Sequence, residues 1–305
     1  MSARAARRGR TGSKGAEPGT GTKGTEPSTG TNGAVLGAAL AKRLRLKPGA
    51  KVNLSRVDPG DTHGHDKDSA AVTLQASHDR LESLQERLWA GKGGSLLIVL
   101  QGIDTAGKDG TLRHVMTAFN PQGCSVIGFG VPTEEELAHD YLWRIHRHTP
   151  GRGSISIFNR SHYEDVLVVR VHDLVPAKVW RKRYDQINAF EAHLAANGTT
   201  ILKFFLWISP EEQRDRLQAR IDTPDKRWKF SRGDIEERKH WNDYQKAFEA
   251  ALSRCSTDVA PWYVIPSDRK WFRNLAVAEI LADSMERMDL TYPPAEDDIA
   301  AIVVE

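Results

Sequence analysis

The chain has 305 residues and 39% hydrophobic content, which suffices for one large domain or two small ones with a substantial core. No apolar run is long enough to span a membrane, and no apolar segment follows the basic start MSARAARRGR, which argues against a secretory signal. The net charge of +3 is uneven, because residues 1–33 carry six basic and two acidic residues and the remainder carries 37 basic against 38 acidic. Such a body is not a generally basic, nucleic-acid-coating surface, so any anion site in it must come from local clustering.

Both ends of the chain have the composition of tails. Residues 1–33 are rich in Gly, Thr, Ser, Lys and Pro and bury too little apolar surface to offset their ordering entropy, so we predict a disordered tail there. An N-terminal arm and a helix over 69–91 are predicted within residues 34–94, a main domain over 95–290, and a C-terminal tail over 291–305. Two widely spaced cysteines, Cys124 and Cys255, are typical of reduced thiols, so we expect a cytoplasmic protein.

From residue 95 onwards, short apolar runs alternate with amphipathic stretches. We predict strands at 95–101, 124–130, 154–159, 199–208 and 262–266. We predict helices at 108–119, 133–146, 161–171, 176–197 and 268–288. Two more predicted helices flank a basic loop at 222–233: one begins at Ser209 and the other ends at about residue 253. This alternation indicates an α/β fold, a parallel sheet covered by helices. Ligands of such sheets bind beyond the carboxyl ends of the strands, so we expect the chemistry just after residues 101, 130, 159, 208 and 266.

The stretch LLIVLQGIDTAGKDGT, residues 96–111, has the spacing of a phosphate-binding loop between a strand and a helix. Backbone N–H groups and the helix N-terminus would face an anion, and Lys108 adds a mobile positive charge. A ligand-free turn is the alternative, but it would leave Lys108 unpaired above a positive helix end. The predicted phosphate- and nucleotide-binding residues of the loop are Gly102, Thr105, Ala106, Gly107, Lys108, Asp109, Gly110 and Thr111.

The loop lacks the hydroxyl that usually holds magnesium after the lysine, because Asp109 stands there, and a second acid, Asp104, lies inside the loop. The third strand also lacks its usual acid: it ends in Asn159 and Arg160, with Glu164 one turn later in FNRSHYEDV. We therefore predict a relocated metal site with Asp104 and Glu164 as oxygen ligands. Asp109 has an alternative role, since an acid in the first turn of a helix complements the helix dipole.

Basic residues cluster after the fourth strand. Arg214, Arg216 and Arg220 lie on a predicted helix, and the loop IDTPDKRWKFSRGD follows them. In phosphoryl-transfer enzymes a basic lid closes over the phosphates and neutralises developing charge, which favours a lid here. A solvated helix face is the alternative, because acidic residues interleave at 211, 212 and 215. The predicted lid cations are Lys226, Arg227 and Lys229.

A further basic cluster covers YLWRIHRHTPGRG (141–153) and KVWRKRYD (178–185). One interpretation is a row of cations that follows an extended polyanion, and the other is a set of solvated helix faces. Interleaved aromatic residues resemble a platform for single-stranded nucleic acid, but they more often anchor a core, so we do not expect nucleic acid as a partner. The predicted polyanion-binding residues around this cluster are Arg144, Arg147, Arg170 and Lys182.

Several motifs together resemble the polyphosphate kinase 2 family over about residues 45–290: GIDTAGKDGT, NPQG (120–123), HDYLWRIH (139–146), FNRSHYEDVLVVRVH (158–172), TTILKFFLWIS, DKRWKF and APWYVIPSD (260–268). GKDG combined with FNRSHYE resembles the subgroup that phosphorylates both AMP and ADP. The resemblance implies a three-layer P-loop kinase-like fold, with a five-stranded parallel sheet, a catalytic domain at 95–290 and a helical lid at about 209–254. It also implies phosphate transfer between inorganic polyphosphate and adenine nucleotides, and it leaves the use of guanine nucleotides open. The implied cofactor is Mg²⁺ or Mn²⁺, and the implied assembly is a homodimer or homotetramer.

The resemblance assigns roles to individual residues. It implies that Asp104 is the catalytic acid of the loop, that Lys108 binds the transferring phosphate, and that Arg160 and Glu164 act with Asn159 at a second motif. It implies that Arg216 and the lid cations stabilise charge. The chain departs from many relatives at Gly130, where they carry a lysine, so a polyphosphate contact is either missing there or supplied by the 144–152 cluster.

Two other functions fit parts of this pattern. An ATP-dependent nucleoside monophosphate or small-molecule kinase suits the loop, lid and sheet, but the missing Ser/Thr after Lys108 and the extra cations argue against it. A phosphate-sensing module without turnover is opposed by the complete set of Lys108, Arg160, Arg216 and acids. We therefore expect a polyphosphate-dependent nucleotide kinase that works by metal-assisted, in-line transfer.

Overall fold

The computed structural model describes residues 29–296 together with residues 299, 302 and 304, and for residues 29–34 it describes the backbone alone. The strands are β1 (Ser95–Gln101), β2 (Cys124–Gly128), β3 (Ile155–Asn159), β4 (Thr199–Trp207) and β5 (Trp262–Pro266). The helices are α1 (Thr29–Leu44), α2 (Lys67–Gly91), α3 (Lys108–His114), α4 (Glu134–Ala138), α5 (Trp143–His146), α6 (Val168–Val171), α7 (Ala177–Ala196), α8 (Pro210–Asp222), α9 (Arg232–Lys239), α10 (Trp241–Cys255) and α11 (Lys270–Glu286).

The five strands form one parallel sheet in the order β2-β3-β1-β4-β5. Successive residues of β1 point to opposite faces: Leu96 and Ile98 join the core beneath α1, α2 and α11, whereas Leu97 and Val99 join the core beneath α7 and α10. Burying each such side chain contributes roughly 1.5–3 kcal/mol relative to exposure. The predicted three-layer α/β architecture is confirmed.

Each end of the chain departs somewhat from the simple tails we predicted. Helix α1 begins at Thr29, inside the segment 1–33, and packs Leu40 and Leu44 into the core; residues 1–28 lie outside the described part of the chain. Residues 291–296 have no regular secondary structure, although the Tyr292 hydroxyl donates to Glu86 Oε2 at 2.9 Å. Most of the remaining predicted C-terminal tail also lies outside the described residues.

Several predicted helices are broken, and the predictions were wrong on that point: the helix predicted at 108–119, for example, ends at His114 and is followed by a 3₁₀ turn over Met116–Ala118. The capping box of Thr133 and Glu136 is present, but α4 ends at Ala138 and α5 begins only at Trp143. The reason is local, because the Asp140 side chain accepts from the backbone N–H of Leu142 and offers the chain a turn instead of helix. The segment 161–171 likewise begins as a 3₁₀ turn over His162–Asp165 before the short helix α6.

The predicted lid segment, 209–254, divides into two parts. Helix α8, a 3₁₀ turn at Pro224–Lys229 and helix α9 lie at the carboxyl edge of the sheet. Helix α10 instead packs Phe248 and Leu252 into the core. The chain bends at His240, which separates α9 from α10. Because α10 packs into the core, the second half of the predicted lid segment is held to the sheet. Of the helices that the structure describes, none has the length and apolarity to cross a membrane.

Candidate active site

The phosphate-binding loop joins the carboxyl end of β1 to α3. Gly107 caps α3 with a φ of 114°, a conformation that favours glycine. Thr105 also has a positive φ, 67°, and its buried hydroxyl has no hydrogen-bond partner among the described residues. The first N–H groups of α3 have no partner within their own helix, which makes this end of the helix an anion-binding position.

Lys108 lies inside the loop rather than in solvent. Its side chain is buried, and Nζ donates to the carbonyl oxygens of Gly102 at 2.6 Å and Ile103 at 3.2 Å. Burial and, to a smaller extent, the neighbouring Arg160 lower the pKa of Lys108 to about 8, against the opposing effect of Asp104. The ammonium is thus a cation that a bound phosphate would stabilise.

Arg160 links the end of β3 to the loop. Its Nη2 donates to Asp104 Oδ1 at 2.6 Å, and its Nη1 donates to Glu164 Oε2 at 3.5 Å. The three side chains are partly exposed, so they face a cavity rather than the core. Arg160 itself has a φ of 65°, which bends the chain directly after the strand and turns the guanidinium toward the loop. The structure therefore brings the two predicted metal ligands to one guanidinium.

A second contact between β3 and α3 involves Asp109. Asn159 Nδ2 donates to Asp109 Oδ1 at 3.1 Å, across 50 residues of sequence. Asp109 lies in the first turn of α3, where the helix dipole favours an acid. The contact gives Asp109 a structural role beyond the dipole, namely fixing the end of β3 against the loop.

Arg216 holds the loop from the other side. Its Nη1 donates to the carbonyl oxygens of Thr105 at 2.8 Å and Ala106 at 3.0 Å, and its Nη2 donates to that of Ser267 at 2.6 Å. Its Nε donates to Glu212 Oε1 at 2.7 Å. Arg216 therefore connects α8, the phosphate-binding loop and the end of β5, and it shapes the site as well as adding charge.

These residues border a large opening, here named the cationic cavity, of about 790 Å³. Nine Lys and Arg residues and three Asp residues line it, a balance of +6 with histidine neutral. Such a cavity attracts polyanions and neutralises charge within them. Its lining residues are Asp104, Thr105, Gly107, Lys108, Asp109, Gly110, Arg113, His114, Asn159, Arg160, Arg216, Arg220, Asp225, Lys226, Trp228, Lys229, Lys270, Arg273 and Asn274.

A smaller opening, here named the mixed cavity, lies on the other side of Arg160 and has a volume of about 40 Å³. Its charges nearly cancel, and apolar and aromatic side chains form much of its wall. Asp104 and Arg160 line both cavities. The lining residues of the mixed cavity are Gly102, Ile103, Asp104, Arg160, Glu164, Leu167, Val168, Gln213, Glu237, Arg238, Trp241, Tyr244 and Phe248.

The predicted lid cations divide between two positions. Lys226 and Lys229 line the cationic cavity, together with the exposed Trp228. Arg227 does not line it, and its Nε donates to the carbonyl oxygen of Ile221 at 2.8 Å, which closes the 3₁₀ turn onto α8. Two of the three predicted cations therefore face the site.

The structure does not bring the basic cluster of residues 141–153 and 178–185, or Arg170, to the cationic cavity. Arg144 is buried and donates to the carbonyl oxygen of Gly130 at 3.0 Å, while Arg147 stacks on Trp143 with its Cζ 4.6 Å from the ring centroid. Arg170 stacks on Trp180 at 4.9 Å. Lys182 lies exposed on α7. Arg144 thus supports the turn at Gly130 from within.

A fully buried ionic cluster supports the turn that carries Glu164. Lys203 Nζ donates to Glu191 Oε2 at 2.5 Å and to the Tyr163 hydroxyl at 2.7 Å. The Tyr163 hydroxyl donates to Glu191 Oε1 at 2.9 Å, and His162 Nε2 lies 3.1 Å from the same oxygen. The flanking lysine and histidine keep the pKa of the Glu191 carboxyl low, although burial opposes them. Breaking such a buried pair by removing one partner typically costs about 3–5 kcal/mol.

Sequence reasoning missed the contribution of α11 and of the start of α10. Lys270, Arg273 and Asn274 line the cationic cavity, and Trp241 and Tyr244 line the mixed cavity. A signal for the first group existed, because we expected chemistry beyond the carboxyl end of every strand, including the last one at residue 266. The aromatic pair on α10 had no such signal, since its spacing is equally typical of a core face.

Comparison with known proteins places this site in a family. The model of the family described as Polyphosphate kinase 2 (PPK2) matches residues 64–293. The AMP/ADP-polyphosphate phosphotransferase of Meiothermus ruber is 52% identical over 266 residues, which cover 87% of this chain and 100% of that protein. The ADP-polyphosphate phosphotransferase of Rhodopseudomonas palustris is 44% identical over 271 residues, 83% of this chain and 92% of that protein.

A solved structure agrees with this assignment. Polyphosphate kinase 2 from Arthrobacter aurescens TC1 superposes with a TM-score of 0.83 at 43% sequence identity, over 86% of this chain and 94% of that one. The predicted P-loop kinase-like fold is confirmed, and an ATP-dependent kinase of another family is not favoured. The chain belongs to the polyphosphate kinase 2 family.

Proposed function

We propose that this enzyme transfers a phosphate group from inorganic polyphosphate to AMP and to ADP, and that it holds the two substrates in different cavities. The observation that carries the proposal is the wall shared by the two cavities, formed by Asp104 and Arg160. Polyphosphate enters the cationic cavity, whose +6 balance matches a long polyanion. The nucleotide enters the mixed cavity, and its terminal phosphate meets the donor at Asp104 and Arg160.

The mixed cavity suits a nucleoside because its wall combines aromatic and apolar side chains with charged ones. Trp241 and Tyr244 offer aromatic surface for a base, and Arg160 offers a guanidinium for the phosphate end. The cavity is narrow in this structure, with a volume of about 40 Å³. Because α9 carries two of its lining residues, Glu237 and Arg238, movement of α8 and α9 away from α6 would open it.

The reaction needs little proton chemistry. A terminal phosphate oxygen of the nucleotide forms the new P–O bond, while the P–O bond to the rest of the polyphosphate chain breaks and the chain leaves as a shorter anion. Both partners are anions, so positioning and charge neutralisation do most of the work. Lys108 and the loop N–H groups hold the donor phosphate, Arg160 faces both substrates, and Arg216 keeps the loop in shape. The reaction is reversible, and its direction follows the concentrations.

The site fits a divalent metal shared between the substrates. No group of three His, Cys, Asp or Glu side chains that could hold a metal occurs among the described residues. Magnesium is commonly bound by one or two carboxylates together with substrate phosphates, so Asp104 and Glu164 suffice as protein ligands. When bound, Mg²⁺ or Mn²⁺ would neutralise charge on the transferring phosphate. Arg160 holds both carboxylates close to that phosphate.

The remaining parts of the proposal concern the range of substrates and the form of the protein. The printed name of the Meiothermus ruber relative supports acceptance of both AMP and ADP, and the resemblance of GKDG with FNRSHYE supports it further. Use of guanine nucleotides stays an open prediction. The free thiols of Cys124 and Cys255 support a reducing, cytoplasmic location, and the family resemblance supports a homodimer or homotetramer.

One assay tests the proposal. Purified protein is mixed with Mg²⁺, polyphosphate and either AMP or ADP, and the nucleotides are separated and quantified. We expect ADP and ATP from AMP, and ATP from ADP, only when polyphosphate is present, with a control lacking polyphosphate to exclude disproportionation of ADP. Phosphate transfer to AMP from ATP but never from polyphosphate would contradict the proposal.

A further inference from the structure

Arg273 of α11 lies against the phosphate-binding loop. Its side chain is 2% exposed, yet it lines the cationic cavity. A Cβ atom at Gly107 would lie 1.8 Å from Arg273 Nη1, and a Cβ at Gly110 would lie 2.7 Å from Nη2. The guanidinium therefore occupies the space that these two glycines leave free. Side chains larger than hydrogen at either position would displace it.

The guanidinium of Arg273 has no carboxylate partner. Its Nε and Nη2 donate to Asn274 Oδ1 at 3.2 and 2.8 Å, and no Asp or Glu within the described part of the chain forms an ion pair with it. Burial and, to a smaller extent, the neighbouring Arg216 lower the pKa of Arg273 to about 10. A buried cation without a counter-ion is unfavourable, so the position indicates an anion that enters from the cavity.

We propose that Arg273 binds the phosphate groups of polyphosphate that sit on the loop, and that Gly110, together with Gly107, whose φ already favours glycine, leaves the space that its guanidinium occupies. This inference rests on the proposed position of polyphosphate in the cationic cavity. Arginine suits the role because its planar fork can donate two hydrogen bonds to one phosphate. Lys108 and Arg273 then contact the phosphate chain from two sides of the same loop.

The test compares the variants Arg273→Met and Arg273→Lys with a control, Arg287→Met, which removes the exposed arginine that follows the C-terminal end of the same helix and is paired with Asp283. We expect Arg273→Met to raise KM for polyphosphate at least tenfold while KM for the nucleotide changes less than twofold. Arg273→Lys should recover part of the loss, and Arg287→Met should behave like the wild type. An increase in KM for the nucleotide alone would overturn the proposal.

A second readout does not depend on turnover. Inorganic tripolyphosphate is titrated into the nucleotide-free protein by calorimetry, and its effect on the melting temperature is recorded. We expect wild type and Arg287→Met to bind it and melt higher, and Arg273→Met to lose most of the binding without a lower melting temperature of its own. Unchanged affinity in Arg273→Met would overturn the proposal. Arg273-dependent binding in a wild type that never uses polyphosphate would overturn the proposed function and leave the anion site standing.

A glycine variant tests the spatial part of the inference with no change of charge. Gly110→Ala places a methyl group 2.7 Å from Arg273 Nη2, so the guanidinium must shift and KM for polyphosphate should rise. Gly151→Ala is the matched control, because a Cβ there meets no atom within 4 Å. Equal KM values for polyphosphate in the two variants would contradict the inference that the guanidinium of Arg273 occupies the space beside Gly110.

Discussion

The two cavities of this enzyme share a wall and differ in almost everything else. The cationic cavity has a volume of about 790 Å³ and an excess of cations, whereas the mixed cavity measures about 40 Å³ and is lined in part by Trp241, Tyr244 and Phe248. A long, uniform polyanion offers a protein only charge and length, which a wide basic surface can match. A nucleotide also offers a flat apolar base, which a narrow aromatic pocket can recognise. The difference indicates which substrate each side receives.

The largest expected effect concerns the shared wall. We expect Asp104→Asn to lower kcat by about 100- to 1,000-fold, because it removes the proposed metal ligand and weakens the ionic contact with Arg160 at the proposed point of transfer. KM values for both substrates should change far less. The matched variant is Asp109→Asn, whose side-chain oxygen can still accept from Asn159, and we expect its kcat within about threefold of wild type. Near-normal activity of Asp104→Asn across a magnesium titration would contradict the assignment.

A double variant tests the cationic side alone. We expect Lys226→Met with Lys229→Met to raise KM for polyphosphate roughly tenfold, about 1.4 kcal/mol, through the loss of two cations that line the cavity. KM for ADP should stay within about twofold. Lys239→Met is the control, because that lysine is exposed and paired with Glu236 outside the cavity. A rise in both KM values would mean that the lid does not distinguish the two substrates.

A steric variant tests the mixed side alone. Val168 lines the mixed cavity, so Val168→Phe should fill it and raise KM for AMP and ADP by roughly tenfold, with KM for polyphosphate unchanged. Its neighbour Val169 lines neither cavity, which makes Val169→Phe the matched control. Should Val168→Phe affect polyphosphate instead, the two substrates would have to exchange places.

The smallest expected effect is a dependence on pH. Because burial lowers the pKa of Lys108 to about 8, the ammonium loses its proton in the free enzyme as the pH rises through that value. We expect kcat/KM for polyphosphate to fall above pH 8, and kcat to fall only at higher pH because bound phosphate stabilises the cation. Between the pKa of the folded state and the ordinary value of 10.5, the unfolded chain binds more protons, so this group makes folding more favourable as pH rises. A flat kcat/KM profile to pH 9.5 would contradict this role.

Much of the fold could be predicted from local signals, because β1, β3, β4 and β5 are largely buried apolar runs and the loop has a fixed spacing. The capping box at Thr133 was predictable for the same reason, whereas the turn at Asp140 was not, since a competing side-chain contact decides it. A pattern of charged residues in the sequence does not show where each side chain points in the folded protein. Arg144 and Lys226 looked equivalent in sequence, yet the first is buried behind Gly130 and the second lines the cationic cavity.

The residues that sequence reasoning missed act across long sequence separations. Arg273 reaches a loop that lies more than 160 residues earlier in the chain, and only the parallel order of the sheet brings them together. The buried cluster of Lys203, Glu191 and His162 presents a similar case, because each member alone is typical of a solvated surface. Its position beneath the turn of Glu164 shows how the fold fixes a partly exposed site from within.

The central claim is that polyphosphate and nucleotide occupy different sides of the Asp104–Arg160 wall. The most direct measurement is a crystal structure of the enzyme with ADP and a non-hydrolysable phosphonate analogue of polyphosphate. We expect the phosphonate chain on the loop beside Lys108 and Arg273, and the base against Trp241 and Tyr244. The reverse arrangement, with the base in the cationic cavity, would contradict this account.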